Sequence, residues 1–135
     1  MGSSTPTIFP VLRYRDGRAG VEFLVRAFGF RLDVCYPEEG PSVDHAELSL
    51  GNGAVMVASA HGSEGGPMAV DPHPQVLFVV VDDPDAHCDR TRAAGAEIVV
   101  APTDQEYGSR EYVARDPEGN LWGFGTYWRD NAPGA

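Results

Sequence analysis

The sequence predicts an α+β domain of two βαβββ modules, on three observations. Short runs rich in Val, Phe, Tyr and Trp surround two helix-like stretches, each opened by Asp and closed by Gly. The second half repeats the first at an offset of 66 residues, with Val11 on Leu77, Asp16 on Asp82, Arg26 on Arg92 and Ala27 on Ala93. At the same offset Gly29 falls on Gly95, Gly53 on Gly119 and Val55 on Leu121. Finally, Asp116-Pro-Glu-Gly-Asn120 is strong turn chemistry between two apolar runs, so the domain closes on a β-hairpin.

In chain order, residues 7–15 read as the first strand, with Pro10 marking an edge or an irregularity. Asp16 caps a helix whose Val21, Leu24, Val25 and Phe28 make one apolar stripe, and Gly29 stops it. Phe30–Tyr36 is a strand. In Val43–Leu50, Ala46, Leu48 and Leu50 alternate with His45, Glu47 and Ser49, as in a half-buried strand. Gly51-Asn52-Gly53 then turns the chain into a strand over Ala54–Ser59. Residues 60–74 carry three Gly and three Pro and read as a joint, in which His61 and His73 are solvated loop residues. Gln75–Val81 is apolar enough for a strand covered on both faces. Asp83-Pro84 opens a helix that runs to about Ala94 and stops at Gly95. Glu97–Ala101 is a strand and Pro102–Gly108 a loop. In the closing hairpin Trp122 and Phe124 share the core face, while Leu121, Gly123 and Gly125 share the other. Two glycines on one face leave room for neighbouring backbone or for a ligand. Tyr107, Tyr127 and Trp128 sit near strand ends or in loops, placed to rim a cleft or a dimer contact.

With 135 residues the chain makes one domain over 1–135, divided into module one (about 7–59), the joint (60–74) and module two (about 75–127). Twenty acidic residues against ten basic give a net charge of −10, which argues against a nucleic-acid partner and would steer a cationic ligand inward. No apolar run approaches the roughly 20 residues that span a membrane. The N-terminus lacks an export pattern, so a cytoplasmic protein is expected. Cys35 and Cys88 have no metal-ligand spacing and read as free thiols.

Paired modules of this kind resemble the vicinal oxygen chelate superfamily: glyoxalases, bleomycin- and fosfomycin-resistance proteins, and extradiol dioxygenases. The resemblance covers residues 7–127. It is carried by Pro10-Val-Leu-Arg-Tyr, Phe28-Gly-Phe, His45-Ala-Glu-Leu and Arg115-Asp-Pro-Glu-Gly-Asn-Leu-Trp-Gly-Phe-Gly-Thr-Tyr127. It implies an α+β fold in which two βαβββ modules form a cupped, half-barrel mixed sheet with helices on the outer face. It also implies that the four positions holding the metal in metal-using members fall on Phe9, Val57, Val76 (or Gln75 one residue earlier) and Gly123. Phe, Val and Gly offer no N, O or S donor. Metal-dependent lyase or dioxygenase chemistry is therefore disfavoured, and no metal or other cofactor is expected.

The same resemblance makes the second sheet face a cavity. Its apolar lining would come from Phe9, Val11, Val55, Val57, Val76, Phe78, Val113, Leu121 and Gly123. Its polar points would be Arg13, His45, Glu47 and Glu111. His45 and Glu47, two apart on one strand face, could orient a ligand or act as base and partner; with Glu111 they are also an alternative metal set. The expected function is metal-independent binding or sequestration of a small apolar or aromatic molecule, one that the acidic balance would favour as a cation. The alternative is a glyoxalase-like lyase or isomerase acting on a small oxygenated substrate. A homodimer is expected, since one module buries too little of its sheet and relatives pair modules across chains.

Overall fold

A computed structural model of the chain describes residues 6–60, 67 and 70–127. It divides into two compact units, Met1–His73 and Pro74–Ala135. The first contains β1 (Val11–Tyr14), α1 (Gly17–Arg26), β2 (Arg31–Tyr36), β3 (His45–Leu50) and β4 (Gly53–Ser59). The second contains β5 (Val76–Val80), α2 (Pro84–Ala93), β6 (Glu97–Asp104), β7 (Arg110–Arg115) and β8 (Leu121–Gly125). Each unit is a βαβββ run folded into a four-stranded mixed sheet, in the order β1-β4-β3-β2 or β5-β8-β7-β6. The first strand of each unit lies parallel to the last, and the other pairs are antiparallel.

The helices begin where the sequence places their caps. Asp16 accepts from the Ala19 N–H at 3.0 Å and Asp83 from the Ala86 N–H at 3.1 Å, each relieving an orphan donor of the first turn. Both helices are followed by a glycine with positive φ, Gly29 at 84° and Gly95 at 89°. In α1 the buried stripe is Val21, Phe23 and Leu24, continued by Phe28; Val25 is only half-buried. Phe23 replaces it because its ring meets the Phe28 ring edge-to-face at 4.9 Å. The loop after β2 is pinned by Arg18, which donates to the carbonyls of Pro37 (2.9 Å) and Gly40 (2.8 Å).

Some strand limits differ from expectation. β1 begins at Val11, not residue 7, because Pro10 has no N–H to give a ladder; its carbonyl still accepts from Met56 at 2.9 Å. β6 runs on to Asp104, past the expected end at Ala101. It is an edge strand, and its register shifts between Val100 and Thr103, where Pro102 needs no partner. β5 is not covered on both faces: Val76 is 80% exposed and Phe78 46%. The residue beside Phe78 on β8 is Gly123, which has no side chain to cover it. His61 lies outside the described residues, as does Trp128. His73 is exposed.

The two hairpins differ by one residue. Ser49 and Ala54 enclose four residues in the first, whereas Arg115 and Leu121 enclose five in the second. The offset between modules is therefore 66 from the helix stops through β3 and β7 but 67 in the last strands. A one-residue slip turns every side chain to the other face. Val55 and Val57 consequently point with Ala46 and Leu48 into the helix-covered core, Val57 being fully buried, and Met56 takes the open face.

The longer loop is organised by one buried carboxylate. Asp116 accepts from the Glu118 and Asn120 N–H groups (both 3.0 Å), Asn120 Nδ2 (2.9 Å) and Trp122 Nε1 (3.1 Å). Asn120 Oδ1 in turn accepts from the Gln75 N–H at 2.8 Å, tying the turn to the start of β5. Beneath it Trp122, Phe124 and Tyr112 are fully buried, with Tyr112 and Phe124 stacked at 5.1 Å. Asp116→Ala should leave these donors without their acceptor and cost about 2–4 kcal/mol in urea unfolding. A loss below about 1 kcal/mol would show that the loop holds its shape without the carboxylate.

Candidate functional site

In the second unit the face away from α2 carries Val76 and Phe78 from β5, Leu121, Gly123 and Gly125 from β8, and Glu111 and Val113 from β7. Phe78, Gly123 and Val113 lie side by side across three strands, and Gly125 lies beside Glu111. The glycines are what let the neighbours lie down. A Cβ on Gly123 would sit 3.1 Å from Phe78 Cδ1. A Cβ on Gly125 would sit 2.5 Å from Glu111 Cγ and 3.1 Å from both Phe78 Cζ and the Arg110 carbonyl oxygen. The room left by the two glycines is thus taken by a ring from one flanking strand and a carboxylate stem from the other.

Above this floor is an open cavity of about 590 Å³ lined by Phe78, Tyr107, Glu111 and Tyr127. Its size suits a small molecule. Tyr107 comes from the loop between β6 and β7, and Tyr127 from the two residues past β8. Tyr127 meets Tyr107 edge-to-face at 5.9 Å and Phe78 at 6.4 Å. The Tyr107 hydroxyl donates to Glu111 Oε1 at 2.8 Å. That hydrogen bond, with lesser help from burial and the carboxylate's charge, pushes the Tyr107 phenol above its ordinary pKa. The loop is held at its base by Arg110, paired with Asp85 (2.8 Å) and Asp104 (3.1 Å). Of the four lining residues, Phe78 and Glu111 belong to the sequence-derived cavity set. For the two tyrosines the sequence offers a cleft or a dimer contact, its signal being an aromatic residue near each strand end.

The first unit presents a different open face. Val11 and Arg13 on β1 and His45 and Glu47 on β3 lie there, with Met56 between them and the exposed Phe9 just before β1. His45 Nε2 and Glu47 Oε2 are 2.7 Å apart, each side chain being about 43% exposed. Val55 and Val57, both expected to line the cavity, are turned to the core instead, for the register reason given above. The four metal positions therefore present Phe9, Met56, Val76 and Gly123 on open faces. Three have no donor atom and the fourth only a thioether, which does not fit a divalent ion that wants N, O or thiolate ligands. Among the described residues, no three His, Cys, Asp or Glu side chains gather as a metal-holding group.

The sequence profile of the Glyoxalase/Bleomycin resistance protein/Dioxygenase superfamily matches residues 8–124. The chain belongs to this family. An uncharacterized protein of Mycobacterium bovis is 30% identical over 130 residues, covering 93% of this chain and 86% of its own length. The crystal structure of TioX from Micromonospora sp. ML1 superposes with a TM-score of 0.77 at 38% identity, covering 90% of this chain and 99% of TioX. TnmS3, an antibiotic binding protein from Streptomyces sp. CB03234, shares the fold with a TM-score of 0.66 at 20% identity, over 88% of this chain and 94% of its own. No helix among the described residues is long and apolar enough to cross a membrane.

Gly125→Ala should displace Glu111 and Phe78 and cost about 1–3 kcal/mol, measured by thermal unfolding. An unchanged melting temperature would mean that the floor tolerates a methyl group. Glu111→Ala should let the Tyr107 phenol titrate nearer its ordinary value, followed through its ring resonances at alkaline pH. The sign follows from the raised pKa: the bond contributes below the ordinary phenol pKa and is lost as pH climbs through the raised one. A Tyr107 titration equal in parent and variant would refute the coupling.

Proposed function

We propose that this protein binds and sequesters a small apolar or aromatic molecule without using a metal. The observation that carries the reading is the aromatic cavity of the second unit, with three rings and one carboxylate over a glycine floor. Mostly apolar walls with one oriented polar group bind by burial and select by that group. The donor-poor residues at Phe9, Met56, Val76 and Gly123 support the metal-independent part. The family description spans both binding proteins and enzymes, so membership alone does not choose between them. TnmS3 shows that the fold can serve antibiotic binding. The acidic balance favours a cationic ligand.

A glyoxalase-like lyase or isomerase acting on a small oxygenated substrate is the second reading, and the His45–Glu47 pair is what favours it. A histidine held 2.7 Å from a carboxylate is oriented as a general base would be. Stoichiometric nickel, zinc, iron or manganese in the purified protein would move the balance to this side.

We place the protein in a reducing cytoplasm as a homodimer. Both described cysteines are unpaired. Ile8 (82%) and Val76 (80%) are apolar side chains left in solvent, which a second copy could cover. Light scattering should give twice 14.5 kDa, and a mass of 14.5 kDa at tens of micromolar would overturn the dimer. Calorimetric titration with a panel of apolar and aromatic antibiotics should yield a Kd below about 1 mM, where roughly 4 kcal/mol is available. A panel without a single such binder would overturn the binding function.

A further inference from the structure

Resting on that binding function, we propose that the second unit's cavity selects its ligand by an alkylated ammonium head group, seated among the Phe78, Tyr107 and Tyr127 rings with Glu111 as counter-ion. Among the described residues, Glu111 is the only charged one lining the cavity. An anion there would be repelled, and a wholly apolar ligand would strip water from the carboxylate and give nothing back. A cation answers the carboxylate and is also drawn to the negative faces of aromatic rings. The rings have the right relation for a compact head. Tyr127 stands at 87° to Tyr107 and 82° to Phe78, so neighbouring rings form corners. A flat aromatic group slots between parallel faces, whereas a tetrahedral, methyl-clad ammonium fits a corner.

The carboxylate is prepared for this role. Tyr107 holds Oε1, while Oε2 has no hydrogen bond to any described residue, so a charge partner can approach it without displacing a contact to one of them. Tyr107 stays protonated well into alkaline solution and keeps donating. Gly125 sets the stem's position from below. The volume of about 590 Å³ exceeds a head group and leaves room for the apolar body attached to it.

The test uses two probes of one shape that differ in charge, trimethylphenylammonium and tert-butylbenzene, titrated into the full chain and followed by NMR shifts of the Tyr107 and Tyr127 rings. The cation should bind at least about tenfold tighter. Glu111→Gln, which keeps the side chain's shape, should weaken the cation about five- to tenfold and so close most of the gap between the two probes, while Tyr127→Leu should weaken both probes and the cation more. Equal affinity for both probes, or a cation indifferent to Glu111→Gln, overturns charge selection while the binding function stands. Binding of neither probe removes the cavity as a ligand site and this inference with it. The parent protein with the two probes decides the matter even if a variant fails to fold.

Discussion

The Asp116 carboxylate is the constraint from which the rest of the second unit follows. Buried, with four donors converging on it, it fixes a five-residue turn between β7 and β8. That turn length sets the register of β8, and the register decides which side chains meet α2. With five residues Trp122 and Phe124 go to the core and Gly123 and Gly125 to the open face. With four, the two large rings would be in solvent and the glycines would leave a hole under the helix. The Trp122 indole N–H donates to the same carboxylate, so the residue that benefits most from the register also helps to enforce it.

The two units use one plan and reach different faces. Their β3 and β7 strands are equivalent at the shared offset, so His45 and Glu111 occupy corresponding positions and both face outward. The shorter first hairpin then delivers Met56 where the second delivers Gly123. Met56 fills its face, and His45 is left to pair along its own strand with Glu47. In the second unit the missing side chain lets Phe78 and Glu111 fold over β8 and make the walls of a cavity. One residue of loop length thus separates a half-polar sheet surface from a lined pocket.

The fold was legible because its signals are local. Asp16 and Asp83 cap, Gly29 and Gly95 stop, and the alternation in His45–Leu50 names its buried side without reference to any other strand. The face of β4 was not legible in the same way. Ala54 to Ser59 is apolar on both sides, so its orientation was inherited from a fixed offset, and a fixed offset cannot register a single extra loop residue. Gln75–Val81 misled for a related reason: an unbroken apolar run does not say whether its neighbours have side chains to cover it, and here one neighbour is Gly123. Tyr107 and Tyr127 were out of reach because a loop's path is set by distant partners. Arg110 draws in Asp85 from α2 and Asp104 from β6, and no spacing in the sequence announces that meeting.

The glycine floor also bears on how this chain stands to the metal-using members that it resembles. A carboxylate at position 123 would place its first carbon 3.1 Å from the Phe78 ring, tighter than ordinary contact. A side chain there would therefore press on the Phe78 ring, which would have to give by a few tenths of an ångström. Phe78 in turn meets Tyr127 edge-to-face, and Tyr127 stands next to Tyr107 and its hydrogen bond to Glu111. The aromatic wall and a liganding side chain on β8 compete for one volume.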